Sequence, residues 1–153
     1  MFRGINPLML DAKGRISMPA KFRGRLQESC AGQLVVTIDP CDPCLLVYPL
    51  PSWEDVETQL VAIPSANKTA RDVKRVLMGH AEDCEMDAQG RILLSLTLRQ
   101  YAGLEKRLVL LGQGNKFELW DEQAWLRHRE QVLREGFGEG GEQLSADLQS
   151  LSY

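Results

Sequence analysis

Leu8 and Leu10 alternate with polar or outward positions, the pattern breaks over Asp11–Gly14, and Ile16 and Met18 resume it. A period of two on both sides of a short polar break predicts a β-hairpin, with one strand to about Leu10 and the other from about Arg15. The break has the chemistry of a tip. The Asp11 carboxylate suits backbone N–H groups two or three residues on, and Gly14 suits the left-handed residue that ends a type I turn with a bulge. Pro19 then ends the ladder, because it has no N–H to donate. Phe22 and Leu26, four apart, mark a short helix from Ala20. Leu34–Ile38 is an alternating β-branched strand, Asp39-Pro40-Cys41-Asp42-Pro43 a turn, and Leu45–Tyr48 the returning strand.

The period then lengthens. Ser52 and Asp55 after Pro51 resemble a helix start, with Val56, Leu60 and Ile63 at helical spacing until Pro64. A second helix is expected from near Asn67 to Met78, with Ala66, Ala70, Val73 and Leu77 on one face and Gly79 at its end. The strand pattern returns at Glu82–Met86 and again, after a tip at Asp87–Arg91, at Ile92–Leu94. There follow a short helix to Tyr101, a strand at Arg107–Leu111, a turn at Gly112–Asn115 and a strand at Lys116–Trp120. Asp121 caps an expected helix through about Arg134, broken by Gly136, Gly138, Gly140 and Gly141. Gln143–Leu151 reads either as one more short helix or as a loosely attached segment.

The two tips are copies of one another. Asp11-Ala12-Lys13-Gly14-Arg15-Ile16 reappears as Asp87-Ala88-Gln89-Gly90-Arg91-Ile92, with Arg23 and Arg99 at equal offsets downstream. The aromatic pairs Tyr48/Trp53 and Trp120/Trp125 have the same spacing. An internal repeat of this kind implies two tandem half-domains. Each would leave sheet edges bare, and two interleaved copies would close a small barrel. The expected organisation is a first repeat over 1–63, a connecting helix over 64–80, a second repeat over 81–135 and an acidic, glycine-containing tail over 136–153.

Composition narrows the classes. A chain of 153 residues, 44% hydrophobic and 25% charged, is ordinary for a globular protein. It has no apolar run near the roughly 20 residues of a membrane span, and its start lacks a signal-peptide core. A cytoplasmic location without a membrane partner is the expectation. The net charge of −3 hides a division. Six cations (Arg3, Lys13, Arg15, Lys21, Arg23, Arg25) stand against Asp11 in residues 1–25, whereas eight acids stand against three arginines in 117–153. A basic N-terminal face can serve a polyanion while the tail repels it.

Competing chemistry is thin. Cys41-x-x-Cys44 with His80 and Cys84 offers four zinc-type ligands, but Pro40 and Pro43 would strain the knuckle, so reduced thiols are expected. No nucleophile motif, phosphate-cradling loop or carboxylate pair stands out, and Gly112-x-Gly114 precedes a strand rather than a helix. Trp53, Trp120 and Trp125 read as core, and Arg71, Lys74 and Arg75 as a solvated helix face. The expectation is therefore a protein without enzymatic activity, cofactor, metal or small-molecule substrate.

The two Asp-x-x-Gly-Arg tips, the opening Met1-Phe2-Arg3-Gly4, the segment Cys44–Leu50, Gly79-His80 before Cys84, and Asn115–Asp121 together resemble the MraZ family. These are bacterial transcriptional regulators encoded at the head of the division and cell-wall gene cluster. The resemblance covers nearly the whole chain and is weakest after Gly136. It implies a mainly β fold with flanking helices, an AbrB-like swapped-hairpin barrel made of two repeats. It also implies ring-shaped homo-oligomers that bind short tandem repeats in the promoter of their own operon, usually as repressors, and hence a place on the nucleoid. The family's DNA-contacting motif falls on Asp11, Lys13, Gly14 and Arg15, and its second copy on Asp87, Gly90 and Arg91, with Gln89 departing from a basic residue.

Physical chemistry suits those positions to the task. The arginine fork donates two bonds to guanine O6 and N7, and lysine neutralises phosphate. Arg15 is thus expected to read a base, Lys13 and Arg3 to position the backbone, and Arg91 to assist. Asp11 fixes the turn, and Gly14, without a Cβ, permits close approach to the groove. Locally, the same residues also fit two plain hairpin turns in which each arginine covers its own aspartate. A non-enzymatic oligomeric assembly module without DNA readout is the alternative function.

Overall fold

The computed structural model describes residues 1–136 and 146–152. The chain runs β1 (Ile5–Met9), β2 (Arg15–Ser17), α1 (Ala20–Cys30), β3 (Gln33–Ile38), β4 (Leu45–Pro49), α2 (Leu50–Ala62), α3 (Lys68–Leu77), β5 (Glu82–Glu85), β6 (Arg91–Leu93), α4 (Leu96–Tyr101), β7 (Arg107–Gly112), β8 (Phe117–Asp121), α5 (Glu122–Glu135) and α6 (Ala146–Gln149). It forms two compact units, Met1–Glu122 and Gln123–Tyr153. All eight strands lie in the first, and nearly all of α5 and all of α6 in the second. The breaks expected at Gly138, Gly140 and Gly141 lie outside the described residues, as does most of the acidic tail.

The fold is mainly β with helices, as the alternation implies, but the barrel does not close. Six antiparallel strands form one open sheet in the order β1-β7-β8-β4-β3-β5, and β2 pairs with β6 in a separate ribbon. The strands flanking each tip separate into different sheets, so the expected hairpins are not ladders. Among the described residues the backbone bonds within each pair are those of the turn, Asp11 N–H to the Arg15 carbonyl (2.9 Å) and Asp87 N–H to the Arg91 carbonyl (2.9 Å). The partners come from the other repeat, in the pairs β1–β7, β3–β5, β4–β8 and β2–β6. Pro7 is tolerated in β1 because that strand is a sheet edge.

Alternation assigns the two faces of the central strands. Leu34, Val36, Ile38, Leu45 and Val47 join the main core, while Val35, Leu46 and Tyr48 pack with Trp53, Leu60 and Leu77 on the opposite face. β3 and β4 are therefore near-continuous apolar runs, buried on both sides. The main core also preserves the repeat. Ile16 and Ile92, Met18 and Leu94, Phe22 and Leu98, Leu26 and Ala102 are all buried in it, and each pair is separated by the offset of the tips.

Two helix starts differ in kind. Asn67 caps α3 by accepting from the Ala70 N–H at 3.1 Å. α2 instead begins at Leu50, ahead of Ser52, with no side-chain cap and Pro51 in its first turn, where no N–H is missed. Among the described residues no helix is long and apolar enough to cross a membrane.

Candidate nucleic-acid interface

The tip at Asp11 is built by one carboxylate. Asp11 Oδ1 accepts the N–H groups of Lys13 (2.9 Å) and Arg15 (2.8 Å), while Gly14 N–H donates to the Asp11 carbonyl at 3.1 Å. Oδ2 accepts Arg15 Nε at 2.8 Å. These bonds, the Arg15 N–H foremost, hold the Asp11 carboxyl below its ordinary pKa. Gly14 takes φ 82°, in the left-handed region. The Arg15 side chain keeps 26% exposure, and among the described residues its two terminal nitrogens have no partner. Arg15 thus does cover its aspartate, but through Nε alone. The outer edge of the fork remains available.

The second tip repeats this bond for bond. Asp87 Oδ1 accepts Gln89 N–H (2.9 Å) and Arg91 N–H (2.8 Å), and Oδ2 accepts Arg91 Nε at 2.9 Å. Its carboxyl is likewise lowered, mainly by the Arg91 N–H. One difference is chemical. Gln89 Oε1 takes a long bond (3.4 Å) from Arg91 Nη2, occupying part of the fork that tip 1 leaves open.

The β2–β6 ribbon joins the tips into one surface. Its register sets Arg15 opposite Leu93, Ile16 opposite Ile92 and Ser17 opposite Arg91. Ile16 and Ile92 are each 1% exposed, so the flanking positions face outward. Arg15 and Arg91 therefore share the outer face as diagonal neighbours, about 7–8 Å apart. The backbone closes the joint, with Leu94 N–H donating to the Gly14 carbonyl (2.9 Å) and Met18 N–H to the Gly90 carbonyl (2.8 Å).

The turn glycines are buried even though they sit in exposed tips. The space above each is filled by an arginine of the other repeat. A Cβ on Gly14 would lie 2.9 Å from Arg99 Cζ, and one on Gly90 would collide with Arg23 Nε. The expected close approach at Gly14 is thus an approach to Arg99, not to a groove. Arg99 Nε donates to the Leu94 carbonyl at 3.1 Å and Arg23 Nε to the Met18 carbonyl at 2.7 Å.

Other cations sort by position. Leu10 N–H donates to the Lys106 carbonyl at 2.8 Å and Met9 pairs with Arg107, bringing two exposed cations to the base of tip 1. At tip 2 the matching places hold Gly32 and Gln33, through Met86 N–H to the Gly32 carbonyl (2.9 Å) and the Gln33–Glu85 pair. Sequence reading missed Lys106 and Arg107 because only the strand register places them. Arg3 is not brought to the tip. It precedes β1 beside the Phe2–Gly114 bridge, roughly 25 Å along an extended strand from Asp11. Arg71 is turned to the carbonyls of Ser65 and Ala66, Lys74 to that of Ile63, and Arg75 to Asp72, so all three tie down their own loop and helix.

The remaining candidates are dispersed. Among the described residues no three His, Cys, Asp or Glu side chains gather as a metal site would require. Cys44 is fully buried, which pushes its thiol pKa up, whereas Cys41 is exposed. Cys84 Sγ lies 3.4 Å from the Leu93 carbonyl, and His80 Nδ1 lies 2.7 Å from that of Val76. Trp53 and Trp120 are core residues, as their setting implied.

Comparison with known proteins agrees with the duplication. A family model described as "MraZ protein, putative antitoxin-like" matches twice, over residues 1–76 and 77–146. The transcriptional regulator MraZ of Halorhodospira halophila is 51% identical over 152 residues, 99% of each chain. Its namesake in Thioalkalivibrio sulfidiphilus is 53% identical over 152 residues, again 99% of each. That of Methylococcus capsulatus is 49% identical over 153 residues and the full length of both. With two tandem matches and about half of all positions shared end to end, the chain belongs to the MraZ family.

Proposed function

We propose that this chain is a sequence-specific DNA-binding transcriptional regulator acting on the nucleoid, a repressor of its own division and cell-wall operon. The observation that carries the reading is the outer face of the β2–β6 ribbon, where two aspartate-anchored arginines stand side by side. Each is fixed through Nε, and Arg15 keeps both terminal nitrogens without a partner among the described residues while Arg91 gives one to Gln89, so little rotamer freedom is lost on binding. Their separation of about 7–8 Å is close to two base-pair steps of about 3.4 Å each. Arg15 reads a guanine edge in the major groove, Lys13 neutralises phosphate, and Arg91 assists. Arg3, distant from the tip, serves a separate stretch of backbone.

One such face spans few base pairs, and each base contact discriminates by about 1–3 kcal/mol. A ring of identical copies on tandem promoter repeats multiplies that discrimination through effective concentration. Names of the relatives support regulation, and the basic surround of tip 1 supports a polyanion.

Fluorescence anisotropy on the tandem repeats upstream of the gene, against a scrambled duplex across a salt series, tests the reading. Preferential binding with a steep salt slope is expected. A defined oligomer with no preference and no salt dependence would identify an assembly module instead.

A further inference from the structure

We propose that Leu93 is a specificity-determining residue that reads the 5-methyl group of a thymine lying beside the guanine read by Arg15. The inference rests on the DNA-binding reading above and extends it from arginine forks to an apolar contact.

The outer face of the β2–β6 ribbon carries four side chains, Arg15, Ser17, Arg91 and Leu93. Leu93 is 60% exposed, more than any other large apolar side chain in the strands of the described residues. Its neighbours Ile92 and Leu94 are buried in the main core and supply the packing of this segment, so the fold does not need an apolar residue between them. In the other repeat the same offset places Ser17, exposed and polar, in a strand that folds alike. A lone exposed leucine is ordinary on a protein surface. One set directly opposite the arginine that reads a base is not accounted for by packing.

Register gives the contact its geometry. A backbone bond joins Leu94 to Gly14, and another joins Met18 to Gly90. The ladder alternates, so Arg15–Leu93 and Ser17–Arg91 fall where the strands exchange no backbone bonds. At such positions the facing Cα atoms stand about 4.5 Å apart and the side chains are closer. Successive base pairs rise about 3.4 Å. With the Arg15 fork on one guanine, Leu93 therefore comes to the adjoining base pair in the same groove. A two-stranded ribbon fits the major groove, and there thymine alone presents a methyl group. Leucine has neither donor nor acceptor for the other base edges, so the methyl is the feature it matches.

The contact is also positioned in advance. Leu94 N–H is tied to the Gly14 carbonyl, and Cys84 Sγ lies 3.4 Å from the Leu93 carbonyl, which fixes the backbone beside the side chain. Ser17, opposite Arg91, can both donate and accept and therefore discriminates less. The thymine requirement thus belongs to the Arg15 half of the face.

The test uses the full-length protein and the tandem repeats upstream of its gene, with thymines replaced one at a time by deoxyuridine. Uracil pairs as thymine does and lacks only the methyl. At one thymine in each repeat, next to a guanine, the replacement is expected to weaken binding about fourfold per repeat contacted, the effect of burying one carbon group. The salt slope should not change. Leu93→Ala should bind the thymine and uracil duplexes equally while keeping its oligomer size, its unfolding midpoint and the preference for guanine at the position read by Arg15. Leu93→Val should keep part of the thymine preference. An equal uracil penalty for the unaltered protein and Leu93→Ala would overturn the proposal, because the methyl would then be sensed elsewhere. So would insensitivity of the unaltered protein to uracil at every position, or repeats with no thymine next to a guanine. A Leu93→Ala protein that keeps the uracil penalty and loses the guanine preference would likewise overturn it, since it marks a side chain that only props the Arg15 stem. If the unaltered protein shows neither salt-dependent binding nor preference for the repeats, the DNA-binding reading itself falls, and this proposal with it.

Discussion

The two tips share every backbone bond and differ in almost everything around it. In both, an aspartate ties two N–H groups and its own arginine, a buried glycine turns left-handed, and an arginine of the other repeat covers it. Around tip 1 stand Lys13, Lys106 and Arg107; the same places around tip 2 hold Gln89, Gly32 and Gln33, with three acids in the strand leading to it. Duplication thus kept the parts that make the turn and let the field diverge. The turn is a requirement of the fold, since both tips carry the ribbon that links the repeats. On the proposed reading, charge is a requirement of the DNA, and one strongly basic tip per chain would meet it.

Breaking that asymmetry at its strong end gives the largest effect. Arg15→Ala should abolish discrimination between repeat and scrambled DNA in anisotropy titrations, a loss of about 1–3 kcal/mol for each base contact forfeited, at unchanged oligomer size. Retained preference would refute base reading by tip 1. Gly14→Ala strikes the shared part. The left-handed backbone costs a side chain about 1–2 kcal/mol, and the new Cβ must also displace the Arg99 guanidinium. A lower midpoint of thermal unfolding is expected, and Gly90→Ala should lower it comparably because the turn is common to both tips.

Weaker perturbations sharpen the contrast. Arg91→Ala should reduce discrimination less than Arg15→Ala, and equal losses would show that the tips are equivalent. Gln89→Lys supplies the missing cation and releases the bond between Gln89 and Arg91. It should steepen the salt slope by about 0.9 per engaged tip without changing the preferred sequence.

Acid titration is expected to have the smallest effect. Asp11 and Asp87 have folded pKa values below the ordinary 3.8, so their stabilisation is complete above that value and disappears as pH falls through the lowered one. The difference in unfolding midpoint between the protein and Asp11→Asn should be flat from about pH 8 to pH 5 and shrink only below 3.8. A slope near neutrality would mean that another group anchors Arg15.

Much of this was legible residue by residue, for reasons of range. An Asx turn is closed by groups within four positions of Asp11, so Asp11 and Gly14 announce it without tertiary help. The strands at Leu34–Ile38 and Leu45–Tyr48 were readable from their local pattern, whereas burial of β3 on both faces goes beyond the alternation expected of it. Residues acting across the repeat were harder to see. Arg23 and Arg99 were visible as matching offsets, yet nothing in a linear string says that each lies on the other copy's glycine. Lys106 and Arg107 follow no motif at all and reach tip 1 only through the β1–β7 register.

By itself, then, the sequence determined the duplication, the two turns, the mainly β fold and the unequal charge of the two motifs, because all of these rest on neighbours along the chain. Tertiary structure alone decided that the strands beside each tip separate into different sheets and that the sheet stays open instead of closing into a barrel. It also set Arg15 and Arg91 on one face and completed each tip with an arginine of the opposite repeat. Those outcomes depend on which strand edges pair, and pairing between distant segments is chosen by the burial of Ile16, Ile92 and their neighbours in a common core, a choice that no local period encodes.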